Sequence, residues 1–145
     1  MLPFESLSAS KAFLGKAVEG ERLFLKALRL NPYRNTWYYP YGSFTYFVQQ
    51  QYDKFFKTAL KGPLTDVWID LPAFLAAAYA LTDHRQEASH YLDIFIDIFT
   101  QKISSGHRPQ SQVIIDWMTK ANPFKLESDA EHMIQGVVAA GLKDY

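Results

Sequence analysis

Apolar positions in this chain recur at helical spacing, in segments separated by short polar breaks. The first segment runs from Pro3 or Phe4 to about Leu14, with Leu2, Phe4 and Leu7 on one side. A proline is tolerated in a first turn, where its missing N–H would have no partner. Gly15 allows a tight turn into a second helix, about Ala17 to Leu30. Val18, Leu23, Phe24, Ala27, Leu28 and Leu30 supply its apolar face. Asn31-Pro32 ends it, because a residue before proline is pushed out of the α region. Gly20 is either a point of close helix approach or a tolerated interior glycine, costing about 1 kcal/mol.

The same alternation continues. Helices are expected over about 36–49 and 52–61, with Gln49-Gln-Gln51 as the turn. Two more are expected over about 70–81 and 85–102. Asp70 stands as N-cap and Pro72 early in the helix. The last of these carries Ala88, Tyr91, Leu92, Ile94, Phe95 and Ile98 in the region that packs inward or against a neighbour. After the loop Ser104-Ser-Gly-His-Arg-Pro109 the pattern changes to a helix over about 110–120, broken by Asn122-Pro-Phe124. A final helix, about Asp129 to Ala140, opens on Ser128-Asp-Ala-Glu131, which reads as a capping box, and ends at Gly141. The paired helices recur at a spacing of about 34 residues, and such pairs bury their apolar faces only by stacking on neighbours. The expected fold is all-α, a right-handed solenoid of about three hairpins (1–34, 35–68, 69–102) in one domain. Residues 103–145 form a capping pair, and the whole reads as the C-terminal part of a longer protein.

Composition narrows the function. Hydrophobic residues make up 48% of the 145 and aromatics 16%, enough for a packed core. Fifteen basic and fifteen acidic residues cancel, which argues against non-specific nucleic-acid binding. Lys54, Lys57 and Lys61 form a modest basic edge and read as a solubilising surface. No cysteine is present, which excludes disulfide and thiolate chemistry and fits a cytoplasmic protein. The longest apolar run, Ala73 to Leu81, is far short of the roughly 20 residues that span a bilayer.

Gly15, Phe24, Ala27 and Pro32, then Tyr38, Tyr41 and Gly42, then Leu75, Ala76, Tyr79, Ala88 and Leu92 resemble tetratricopeptide (TPR) repeats over residues 1–102. Phe55-Phe56 and Phe95-Ile96 depart from the small residues usual there. A narrower resemblance rests on Ala27-Leu-Arg-Leu-Asn-Pro-Tyr33, Trp37-Tyr-Tyr39, Ala76-Ala-Ala-Tyr-Ala80 and Asn122-Pro-Phe-Lys125. Ala130-Glu131, Gly136 and Ala140-Gly-Leu142 complete it. These are similar to the C-terminal repeats of bacterial proteins that carry a class III adenylate/guanylate cyclase or winged-helix domain. The resemblance implies a regulatory or dimerisation segment. No catalytic residue of a cyclase is found on this chain.

In repeats of this kind the first helix of each pair lines a concave groove. Glu5, Ala9, Ala12 and Phe13 are expected there in the first copy, and Tyr39, Ser43, Tyr46 and Phe47 in the second. Asp70, Ala73, Ala77, Ala80 and Leu81 follow in the third. Alanines beside tyrosine and phenylalanine suit a peptide or partner helix, with the aromatics as anchors. The competing reading makes these aromatics core, or folds the C-terminal helices into the groove. Trp37-Tyr38-Tyr39-Pro40-Tyr41 is too aromatic for one hairpin to bury, so a self-association patch and a homodimer are also expected. Glu87-x-x-His90 places two metal-ligand types on one helix face, but no second pair matches it. No nucleophile elbow or phosphate loop occurs. The chain therefore reads as a non-enzymatic, cofactor-free module for protein or peptide partners.

Overall fold

The computed structural model describes residues 4–33, 36, 38–64 and 68–142, with side chains from Ser8 onward. These residues form eight α-helices and no strand. By internal contacts the chain divides into two compact units. One comprises residues 1–68 with 124–129, the other residues 69–123 with 130–145.

The first unit holds α1 (Phe4–Phe13), α2 (Ala17–Leu30), α3 (Tyr38–Val48) and α4 (Tyr52–Ala59). α1 pairs with α2 and α3 with α4, and α3 packs on both α1 and α2. The buried stripe of α2 is Ala17, Gly20, Phe24 and Ala27, one face of a 3.6-residue helix. Val18 and Leu30, expected on that face, lie off the stripe and are 64% and 58% exposed. Helices α1 and α2 approach closely at Gly20, whose carbonyl accepts the buried Ser8 hydroxyl at 2.7 Å. Phe24 lies edge-on to Tyr39 and Tyr46. Trp37 lies outside the described residues. Of its aromatic neighbours Tyr38, Tyr39 and Tyr41 are half-buried, and Lys61 stands over the Tyr39 ring.

The second unit holds α5 (Leu71–Leu81), α6 (Arg85–Lys102) and α7 (Ser111–Ala121), with most of α8 (Glu127–Ala139). Every residue of α5 from Leu71 to Ala78 is buried. α6 buries Ala88, Leu92, Phe95, Ile96 and Phe99, while Tyr91, Ile94 and Ile98 are half-buried. Trp117 of α7 packs edge-on to Phe99 of α6. Gly136 of α8 lies directly against Ala77 of α5. The end of α8 is tied to the start of α7 by the Ser111 hydroxyl, which donates to the Leu142 carbonyl.

Two capping expectations change. Asp70 occupies the N-cap position of α5 but makes no side-chain cap bond. Its buried carboxylate accepts the Asn122 amide instead, at 2.7 Å, and that amide also donates to the Met118 carbonyl. α8 begins at Glu127, so Ser128 lies inside the first turn and does not cap it. Glu127 and Asp129 there complement the positive end of the helix dipole.

All three hairpins turn in the same way. Gly15, Gln50 and Asp83 have φ of 76°, 59° and 63°. In each case the following N–H reaches back five residues. Lys16 bonds to the Lys11 carbonyl, Gln51 to that of Tyr46 and His84 to that of Tyr79, at 2.8, 2.9 and 2.8 Å. This is the left-handed helix ending that satisfies terminal carbonyls, and it recurs at the spacing read from the sequence.

Candidate functional site

Within each unit most of the expected groove residues whose side chains are described are buried. Glu5 lies outside the residues whose side chains are described. Ala9 and Phe13 are half-buried and Ala12 is fully buried. On α3, Tyr39 and Tyr46 face the Phe24 ring of α2, while Phe47 packs edge-on to Phe55 of α4. Ser43 is buried and donates to the Pro40 carbonyl at 2.7 Å. Replacing Tyr39 and Tyr46 would therefore disturb the core of the unit. The Tyr46 hydroxyl is pushed above its usual range by burial, then by the neighbouring Glu21 carboxylate, to which it donates. In the second unit Asp70 is held by Asn122, and Ala73 is fully buried. Ala77 is covered by Gly136, with Leu81 beside it, and Ala80 is half-buried.

Phe13 belongs to a cluster of aromatic rings in the first unit. Phe13, at the end of α1, meets Phe44 of α3 at 4.6 Å between ring centroids. Trp68 stands edge-on to Phe44 at 5.2 Å. Phe13 and Phe44 together form the seat, or recess, of Phe124 in the first unit. Its ring is stacked on Phe44, 5.7 Å away at 16°, and tilted against Phe13 at 5.0 Å. The next residue, Lys125, donates its N–H to the Phe13 carbonyl at 2.8 Å, satisfying one of the free carbonyls at the end of α1. Leu126 then lies on Gly15. A Cβ at that glycine would come 2.8 Å from Leu126 Cδ1.

No protein-family model, curated protein or solved structure matches this chain.

The hold on the segment is light. Phe124 is only half-buried, Pro123 and Lys125 are exposed, and Leu126 is 45% exposed. Exposed segments with few buried contacts belong to the least stable parts of a fold. The sequence reading missed Phe44, Trp68, Phe124 and Leu126. A signal for the last two was present: an apolar pair stranded between a helix-breaking Asn-Pro and the start of another helix.

Close by in the first unit, Asp129 carries a buried Oδ2 with no hydrogen-bond partner, and burial raises its pKa above the usual carboxylate value. The folded chain thus binds this proton more tightly than the unfolded chain does. Stability from this group is full at low pH and falls as pH rises from the ordinary carboxylate pKa, near 4, through the raised value. Asp129→Asn is expected to be more stable than the parent at pH 7, with the difference shrinking towards pH 4. Urea midpoints measured across that range check this, and an equal offset at both ends would contradict it.

Other features offer less. Among the described residues no group of three or more histidines, aspartates and glutamates converges as a metal site. Glu87 and His90 are exposed on α6, and the His90 ring stands edge-on to Tyr91. A second, open recess, lined by Ala80, Asp83, Arg85, Ala88, Ala139 and Ala140, holds charged groups that pair in solvent at 3.7 Å. Among the described residues no helix is long and apolar enough to cross a membrane.

Proposed function

We propose that this chain is a TPR-like, protein-interaction module that recognises polypeptide segments, with the recess of Phe13 and Phe44 as its recognition site. The observation that carries this reading is Phe124. The recess already holds a non-helical segment of polypeptide by one aromatic anchor and one main-chain bond. Aromatic anchors in partly preformed pockets dominate the energetics of such contacts. The TPR-like part of the reading draws support from the hairpin turns at Gly15, Gln50 and Asp83 and from α3 packing on both helices of the preceding pair. Covered in this way, the recess presents a partner with a surface that its own chain must first vacate.

The test is a random-peptide display library panned against the parent and against Phe124→Ala, with folding checked by thermal unfolding. The variant is expected to enrich peptides that the parent does not, and Phe13→Ala in the same background to lose them. A folded variant that enriches nothing beyond the parent would refute the proposal.

A further inference from the structure

The way the chain fills its own recess specifies what else fits there. Three features of the site each select one residue of a ligand. The rings of Phe13 and Phe44 take a planar apolar side chain, and Phe124 meets Phe44 almost parallel. The Phe13 carbonyl needs a main-chain N–H from the next residue, supplied by Lys125, whose side chain is exposed. That position therefore tolerates any residue except proline, which has no N–H to give. Gly15, with φ of 76° and no Cβ, leaves a platform on which the branched side chain two residues after the anchor rests. From Phe124-Lys125-Leu126 we infer that the recess binds, from another polypeptide, a non-helical segment of the form aromatic–x–leucine, x being any residue but proline. This inference rests on the recognition role proposed above and names the ligand of that same site.

The chain's own segment competes with such a ligand. A tethered segment acts at an effective concentration of about millimolar, so an external peptide of similar intrinsic affinity binds the parent poorly. The site opens when the tethered copy loses its anchor.

The experiment uses the full chain carrying Phe124→Ala and Leu126→Ala, and a fluorescein-labelled peptide of residues 120–130 as probe. Circular dichroism and thermal unfolding establish that the variant is folded. The peptide is expected to bind the variant at least about tenfold more tightly than it binds the parent. A peptide with the Phe124 position changed to alanine is expected to lose at least about tenfold, as is one with the Lys125 position changed to proline. A folded variant that binds none of the peptides, or binds all three alike, overturns the inference. In that case ligands enriched by Phe124→Ala from the random library would still uphold the recognition role, and their absence would remove both. If the double variant does not fold, the parent is mixed with excess unlabelled peptide and the Lys125 amide is followed by nitrogen-15 NMR. Loss of that amide's protection supports displacement of the tethered segment. An amide that stays unchanged at peptide concentrations well above the effective concentration of about millimolar overturns it.

Discussion

Gly42→Ala is expected to lower the unfolding free energy by about 2–3 kcal/mol, as an overpacked core does. A Cβ at this position would lie 2.1 Å from Cδ1 and 2.2 Å from Cε1 of Phe24. The ring has little room to yield. It is 2% exposed and flanked edge-on by Tyr39 and Tyr46, at 6.4 and 6.5 Å between centroids. Two effects oppose each other here. Alanine is the better helix former by about 1 kcal/mol, and Gly42 lies within α3. The steric term exceeds that gain, so the net sign is destabilising. Urea denaturation measures it, and a change within about 0.5 kcal/mol of zero would show that Phe24 moves freely. Phe24→Leu in the Gly42→Ala background is expected to recover part of the loss, since the two sites share one space.

Gly136→Ala is expected to cost about 2 kcal/mol for a related reason in the second unit. There a Cβ would meet Ala77 Cβ at 2.5 Å and Ala77 Cα at 3.1 Å, and part of the neighbour is backbone. The informative measurement is the pair. Ala77→Gly removes the atom that collides, so the double variant should regain stability relative to Gly136→Ala alone. It should come close to the parent, because the glycine gained inside α5 is offset by the one lost from α8, and only the 3.1 Å approach to the Cα at position 77 remains. If Ala77→Gly adds its own loss with no recovery, α8 does not rest on Ala77 and the cover over this helix is wrong.

Helix positions were legible in the sequence because breakers mark them. Gly15, Asn31-Pro32, the glutamines at 49–51 and Asn122-Pro123 each lie at an observed helix boundary or turn. Faces were legible only where a helix has two kinds of side. α2 and α4 carry charged residues on one side and bury a narrow stripe, so their registers can be read, although Val18 and Leu30 still mislead. α3 and α5 bury nearly every residue over Gly42–Phe47 and Leu71–Ala78. A helix apolar all round gives no polar stripe from which to fix its register. For that reason Ser43, Phe47, Ala73 and Ala77 were expected on a groove and lie in the interior instead. Phe13 was expected on the groove and packs against Phe44 and Phe124. Its partners Phe44 and Phe124 are 31 and 111 residues further along the chain, and no local periodicity links them.

The seating of Phe124 also sets an order of events during synthesis. α1 to α4 leave the ribosome first, with the rings of Phe13 and Phe44 uncovered by Phe124. The residue that shields them is made only after α5, α6 and α7, several seconds later at about 5–20 residues per second. Throughout that interval the nascent first unit displays an aromatic surface that the finished protein conceals. Each new molecule thus passes through a stage in which the recess stands open before its own occupant exists.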